Sequence, residues 1–120
     1  MEKFTAIKGI AAPLPDAQVA ASSILPADAH LTLRRAGLGK FLFAAQRYAA
    51  DGRETPAFIL NQPAWRKSAI LVTGDFFGHD ATGDHLFWAL ADFGIRVVIA
   101  ARLDSTFRAG CYRHGLLPLE

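Results

Sequence analysis

The chain contains one cysteine, Cys111, so it holds no internal disulfide framework, and a lone thiol suits a reducing compartment. No window approaches about 18 uninterrupted apolar residues, and the opening MEKFTAIKGIAAPLP lacks a long apolar core behind a basic start. Neither a membrane span nor a secretory signal is expected, and the expected location is cytoplasmic. Charge is scarce as well. Thirteen Lys and Arg against eleven Asp and Glu leave +2, and the basic residues are scattered, which argues against nucleic-acid binding. There are no repeats or low-complexity segments, and Gly74 and Gly78 are not followed by the Gly-Lys-Ser/Thr of a phosphate loop. Apolar residues are plentiful: 52% of the chain is hydrophobic and the mean hydropathy is +0.20, where about 45–50% is ordinary. Part of that surface is expected to meet a partner or a ligand. A length of 120 residues fits one domain, residues 1–120.

The first half reads as irregular. Prolines at 13, 15 and 26 break it into short extended pieces, because proline removes a ladder donor and restricts the residue before it. Phe4, Ile7 and Ile10 suggest a strand ending at Ala11-Ala12-Pro13, and residues 18–25 (QVAASSIL) a second extended segment. The basic turn RRAGLGK leads into Phe41, Phe43 and Tyr48, which suit a short helix. Asp51-Gly52 marks a tight turn, and Phe58-Ile59-Leu60 a strand closed by Asn61-Gln62-Pro63.

The second half is more regular. A strand is expected at 69–73. A helix follows from about Thr82 to Phe93, with Leu86, Phe87, Leu90 and Phe93 at three- and four-residue spacings and Gly94 as C-cap. RVVIAA at 96–101 is the apolar strand of a parallel pair buried on both faces, and a second helix runs from about Ser105 to Arg113. The order β, α, β, α implies a right-handed parallel unit. Chemistry gathers at residues 68–85, SAILVTGDFFGHDATGDH, where strand, polar loop and helix meet and free N–H groups of the helix start point into the loop.

Along nearly its whole length the chain resembles the small subunit of isopropylmalate dehydratase, the swivelling domain of the aconitase superfamily. The matching pieces are Val19 with Ile24-Leu25-Pro26, RAGLGKFLF (35–43), the Asp-Gly turn with PAFILNQP (56–63), SAILV (68–72), Phe77-Gly78-His79 in place of Phe-Gly-Cys, HLFWALADFGIRVVIA (85–100) and CYRHGLLPL (111–119). The resemblance implies an α/β fold, a swivel-like β/β/α domain whose irregular β-rich N-terminal half packs on the C-terminal β-α-β-α parallel unit. It also implies that iron–sulfur cluster ligands belong to a large subunit, with no cofactor in this chain, and that such chains continue past the Leu-Leu-Pro strand.

The departures from the family fall on its chemistry. Where the family reads Gly-Cys-Gly-Ser-Ser-Arg-Glu-His, with a serine base and a carboxylate-clamping arginine, this chain has Gly78-His79-Asp80-Ala81-Thr82-Gly83-Asp84-His85. Ala81 exchanges no proton and Gly83 offers no guanidinium. Both carboxylates of the family's early Asn-Val-Asp-Thr-Asp-Gln-Ile-Ile-Pro motif are replaced at 18–26. The residues expected to act in catalysis are His79, Asp80, Asp84 and His85, since imidazole held by a carboxylate suits acid–base work near neutral pH. Ser22, Ser23, His30, Phe77, Thr82 and Gly83 are expected at the substrate. No metal is assigned, because the spacing of the four acid–base residues matches no standard ligand motif. Structural alternatives stand beside each: a capping role for Asp84, a helix-start role for His85, a core place for Phe77, loop filler for His30 and a buried thiol for Cys111.

Three functions fit. The reading favoured by the sequence is a repurposed enzyme, a homodimer doing cofactor-free acid–base elimination, isomerisation or cyclisation on a small, natural-product-like molecule. The alternatives are a divergent small subunit acting with a large iron–sulfur hydro-lyase subunit, and a non-catalytic binding protein.

Overall fold

A computed structural model describes residues 7–26, 37–81 and 83–120. Expectations that fall on Phe4, His30 and Thr82 lie outside the described residues. Four strands form one sheet: β1 (Ala11–Leu14), β2 (Ile70–Thr73), β3 (Val97–Ile99) and β4 (Leu117–Leu119), in the spatial order β1-β2-β3-β4 and all parallel. The register sets Ala12, Leu71, Val98 and Pro118 in one row across the sheet, and all four are buried. Pro13 falls in the edge strand β1, where a missing N–H costs no ladder bond.

Two helices cover the Leu71 side. Helix α3 (His85–Phe93) buries Leu86, Phe87, Ala89 and Leu90 and stops at Gly94, whose φ of 112° lets its N–H reach the carbonyls of Leu90 and Ala91. Helix α4 (Ser105–Arg113) starts at Asp104, whose carboxylate accepts from the N–H groups of Thr106 at 3.1 Å and Phe107 at 3.2 Å. It buries Phe107, Gly110 and Cys111. Gly110 is required because a Cβ there would enter the ring of Phe87. Ala12, Leu71, Val98, Leu86, Phe87, Leu90, Phe107 and Cys111 form one core.

The expected second-half elements are present, with shorter strands. Among the described residues the first half contributes one strand and several short turns, and two expectations there are corrected. Residues 18–25 are not extended throughout: a short helix, α1 (Ala21–Ile24), buries Ala21 and Ile24. The apolar spacing in this stretch satisfies a helical turn as readily as a strand, and so short a run cannot discriminate between them. Phe58-Ile59-Leu60 is a 3₁₀ turn over Ile59–Asn61 rather than a strand. Its geometry is fixed by the Asn61 side chain, whose Nδ2 donates to the carbonyls of Arg47 at 2.8 Å and Thr55 at 2.9 Å. The strand expected from Ile7 and Ile10 begins only at Ala11.

The Asp51-Gly52 turn forms as expected, with Gly52 at φ 84° and its N–H on the Ala49 carbonyl at 2.9 Å. The aromatic run folds as a 3₁₀ turn (Leu38–Phe41) and helix α2 (Ala44–Arg47). The Arg47 guanidinium lies buried between the Tyr48 and Phe93 rings, and its Nη1 donates to the carbonyls of Gly39 and Leu42. Gly39 in turn donates its N–H to the Asp92 carboxylate at 2.9 Å, which pins the turn to the end of α3.

Candidate functional site

Parallel strands deliver their carboxyl ends to one edge of the sheet, and that edge is where α/β proteins place ligands. Here it carries the loops that follow β1, β2 and β3. Backbone hydrogen bonds stitch them together: Gln18 N–H to the Asp75 carbonyl at 2.7 Å, Gly78 N–H to Val19 at 2.8 Å, Ala21 N–H to His79 at 2.9 Å, and Phe76 N–H to Arg102 at 2.9 Å. An open cleft of about 280 Å³ lies between them, lined by Gln18, Phe76, His79 and Asp104. Four non-glycine residues among those described have positive φ, and three of them, Gln18 (55°), Phe76 (57°) and Asp80 (63°), belong to this edge. Strain of this kind persists only where surrounding contacts hold it, and it concentrates at functional sites.

His79 is the centre of the cleft. Its Nε2 lies 3.0 Å from the Gln18 carbonyl and its Nδ1 lies 2.9 Å from Asp80 Oδ2. Carbonyl and carboxylate oxygens both accept, so each ring nitrogen of His79 lies beside an acceptor. Asp80 is well exposed beyond it.

The other expected site residues are not brought to the same place. Asp84 precedes α3 but caps nothing with its side chain. Its Oδ1 accepts from His114 Nε2 at 2.9 Å, and the His114 ring stacks on Phe87 at 5.2 Å with an interplanar angle of 7°. His85 packs against Trp88, ring centroids 4.9 Å apart. Phe77, expected at the substrate, is fully buried between Phe43 and Phe107 and supports the loop from beneath. Close contact with Phe107 also explains Gly78, where an added Cβ would come within 2.5 Å of that ring. Ser22 and Ser23 are exposed on α1, next to the segment that pairs with His79. Ala81 is buried, and Gly83 is exposed with φ 72°.

Sequence reasoning did not single out Gln18, Asp104 or His114. The only signal for His114 was its place at the end of α4, and its contact with Asp84 spans 30 residues. The donor set does not fit an iron–sulfur cluster. Among the described residues no group of three or more His, Cys, Asp or Glu side chains is placed to hold a metal. The single thiol, Cys111, lies in the core, where burial pushes its pKa up to about 12. No described helix is long and apolar enough to cross a membrane.

The family model for the aconitase C-terminal domain matches residues 1–120. The chain belongs to the aconitase C-terminal domain family. Within it, the chain is 52% identical over 119 residues to the 3-isopropylmalate dehydratase small subunit of Methylobacterium radiotolerans, covering 99% of this chain and 60% of that protein. It is 46% identical over 120 residues to the small subunit of Brucella canis, again covering 60% of it. The solved 3-isopropylmalate dehydratase structure from Methanocaldococcus jannaschii superposes with a TM-score of 0.70 at 21% identity, over 92% of this chain and 59% of that one, which establishes the shared fold. This aconitase C-terminal domain therefore spans about three-fifths of the length of the relatives it matches.

Proposed function

We propose that the chain is a small-subunit-type domain of an isopropylmalate-dehydratase-like hydro-lyase, acting with a large subunit that carries the iron–sulfur cluster. The observation that carries this reading is the 52% identity over 99% of the chain to a protein named as that small subunit. This reading is preferred to the stand-alone acid–base enzyme favoured by the sequence because the identity extends along the whole chain. In the assembly, the cleft lined by Gln18, Phe76, His79 and Asp104 faces a small-molecule substrate. His79 walls it, held to Asp80 at 2.9 Å, and Phe77 holds the loop in shape from the core. The cluster would supply Lewis-acid chemistry from the partner. Ala81 and Gly83 leave this loop without the family's hydroxyl base and arginine clamp, and His79 and Asp80 are the titratable side chains at its exposed end. A cytoplasmic location goes with this biosynthetic role.

The test is isolation of the tagged chain, without oxygen, from cells that make it. The expected result is recovery with a larger iron-containing subunit and hydro-lyase activity in that complex alone. An iron-free preparation that turns over a substrate unaided, and loses that activity in His79→Ala, would overturn the proposal and restore the stand-alone enzyme.

A further inference from the structure

A second cavity, smaller and more enclosed than the cleft, measures about 110 Å³ and lies at the carboxyl end of β1. Leu14, Val19, Phe43, Phe58 and Phe77 wall it. The Phe43 ring centroid stands 5.7 Å from that of Phe58 and 6.2 Å from that of Phe77, so three aromatic rings make a continuous wall. Phe43, at φ 54°, is the fourth of the described non-glycine residues with positive φ. A bulky side chain in that region is an outlier that only its surroundings hold, and here the Phe43 N–H is bound to the Ile24 carbonyl at 2.5 Å. Close packing leaves few voids larger than a water molecule, and apolar walls give water too few partners to fill this one. Two polar residues complete the lining, Asp16 and Gln46. Both are exposed, and neither side chain has a hydrogen bond or ion pair among the described residues. The rim beside them is fixed. The Asp16 backbone packs on Gly74 so closely that a Cβ there would enter the Asp16 carbonyl, and the Gln18 N–H holds the Asp75 carbonyl at 2.7 Å.

We propose that this cavity is a ligand site separate from the cleft, taking a compact aliphatic group that carries an ammonium head. Volume sets the body of the ligand. An apolar cavity of about 150 Å³ holds benzene, so this one suits an aliphatic group of about four or five carbons. Charge sets the head. Asp16 is the charged residue of the described lining, so a cation gains from it and a carboxylate is repelled, while the Gln46 amide oxygen offers a second acceptor to N–H donors. An apolar body with a few polar groups at one end is the general design of small-molecule sites. Residues 15–19 divide the cavity from the cleft, with Val19 lining the one and Gln18 the other. The site does not depend on the proposed hydro-lyase role, because none of its described lining residues belongs to the loop at 78–85.

Three probes of one shape and different charge test it by nuclear magnetic resonance titration of the full chain: isobutylammonium, isobutanol and isobutyrate. Isobutylammonium should bind saturably with a Kd of about 1 mM or tighter, within reach of a ligand of about five non-hydrogen atoms. Isobutanol should bind more weakly and isobutyrate most weakly. Nuclear Overhauser contacts should join the methyl groups of the bound ammonium to ring protons of Phe43 and Phe77, which surface adsorption cannot reach because both rings are buried. Asp16→Asn should weaken isobutylammonium by about two- to fivefold, as an exposed charge partner does, and leave isobutanol unchanged. Val19→Phe should fill the cavity and abolish binding of both. The proposal is overturned if isobutylammonium does not saturate, if isobutyrate binds as well as it does, or if Asp16→Asn weakens the alcohol as much as the ammonium. Should Val19→Phe fail to fold, the order of the three probes on the unaltered chain decides together with the contacts to the Phe77 ring.

Discussion

Replacing Phe77 by alanine separates a core residue from a substrate wall. Phe77 is 0% exposed, its ring centroid lies 5.9 Å from that of Phe107 at 86°, and Phe43 is 6.2 Å away. Truncating a buried Phe to Ala costs about 3–5 kcal/mol through lost transfer energy and the cavity left behind, of which the edge-to-face contact accounts for about 0.5–1.5 kcal/mol. A domain of this kind is stable by only about 5–15 kcal/mol, so the folded-to-unfolded ratio should fall by about 10² to 10³·⁵. Urea unfolding followed by circular dichroism reads this as a lower midpoint at unchanged slope. Phe76→Ala is the control: its ring is half-buried and faces the cleft, and the same measurement should register about 1 kcal/mol or less. A loss below about 1 kcal/mol for Phe77→Ala would refute the packing argument.

Four further outcomes follow from the same geometry. Gly110→Ala drives a Cβ into the Phe87 ring and should cost about 1–3 kcal/mol, visible as a lower melting temperature. Cys111 should resist thiol reagents in the native protein at pH 8 and react once urea unfolds it, because burial holds its pKa at about 12 against 9.0 for a free thiol. The same shift makes its contribution to stability complete below pH 9 and lost as pH rises toward 12, at up to about 1.4 kcal/mol per unit, which denaturant titrations at pH 8 and 10.5 would compare. His114→Phe keeps a ring on Phe87 but removes the donor to Asp84. It should cost about 0.5–1.5 kcal/mol, with faster amide exchange in the first turn of α3.

The sequence by itself determined the elements whose signals are local. Strand β2 is a run of β-branched and aliphatic residues closed by Thr73-Gly74. Helix α3 shows its apolar spacing and its Gly94 cap, and α4 begins and ends where the sequence reading placed it. The Asp51-Gly52 turn needed only a glycine able to hold φ 84°. The resemblance to the dehydratase small subunit was legible because its motifs lie along the whole chain in order. Tertiary structure decided what depends on distant partners. Ile59 to Asn61 turned instead of extending because Asn61 binds carbonyls at 47 and 55. Asp84 left the loop chemistry for His114, 30 residues on, and both ring nitrogens of His79 were committed once Gln18, 61 residues earlier, was folded against it. The exposure of Val72 and Leu119 was decided the same way: their strands are apolar on both sides in the sequence, and only the folded sheet leaves these two side chains 41% and 42% exposed.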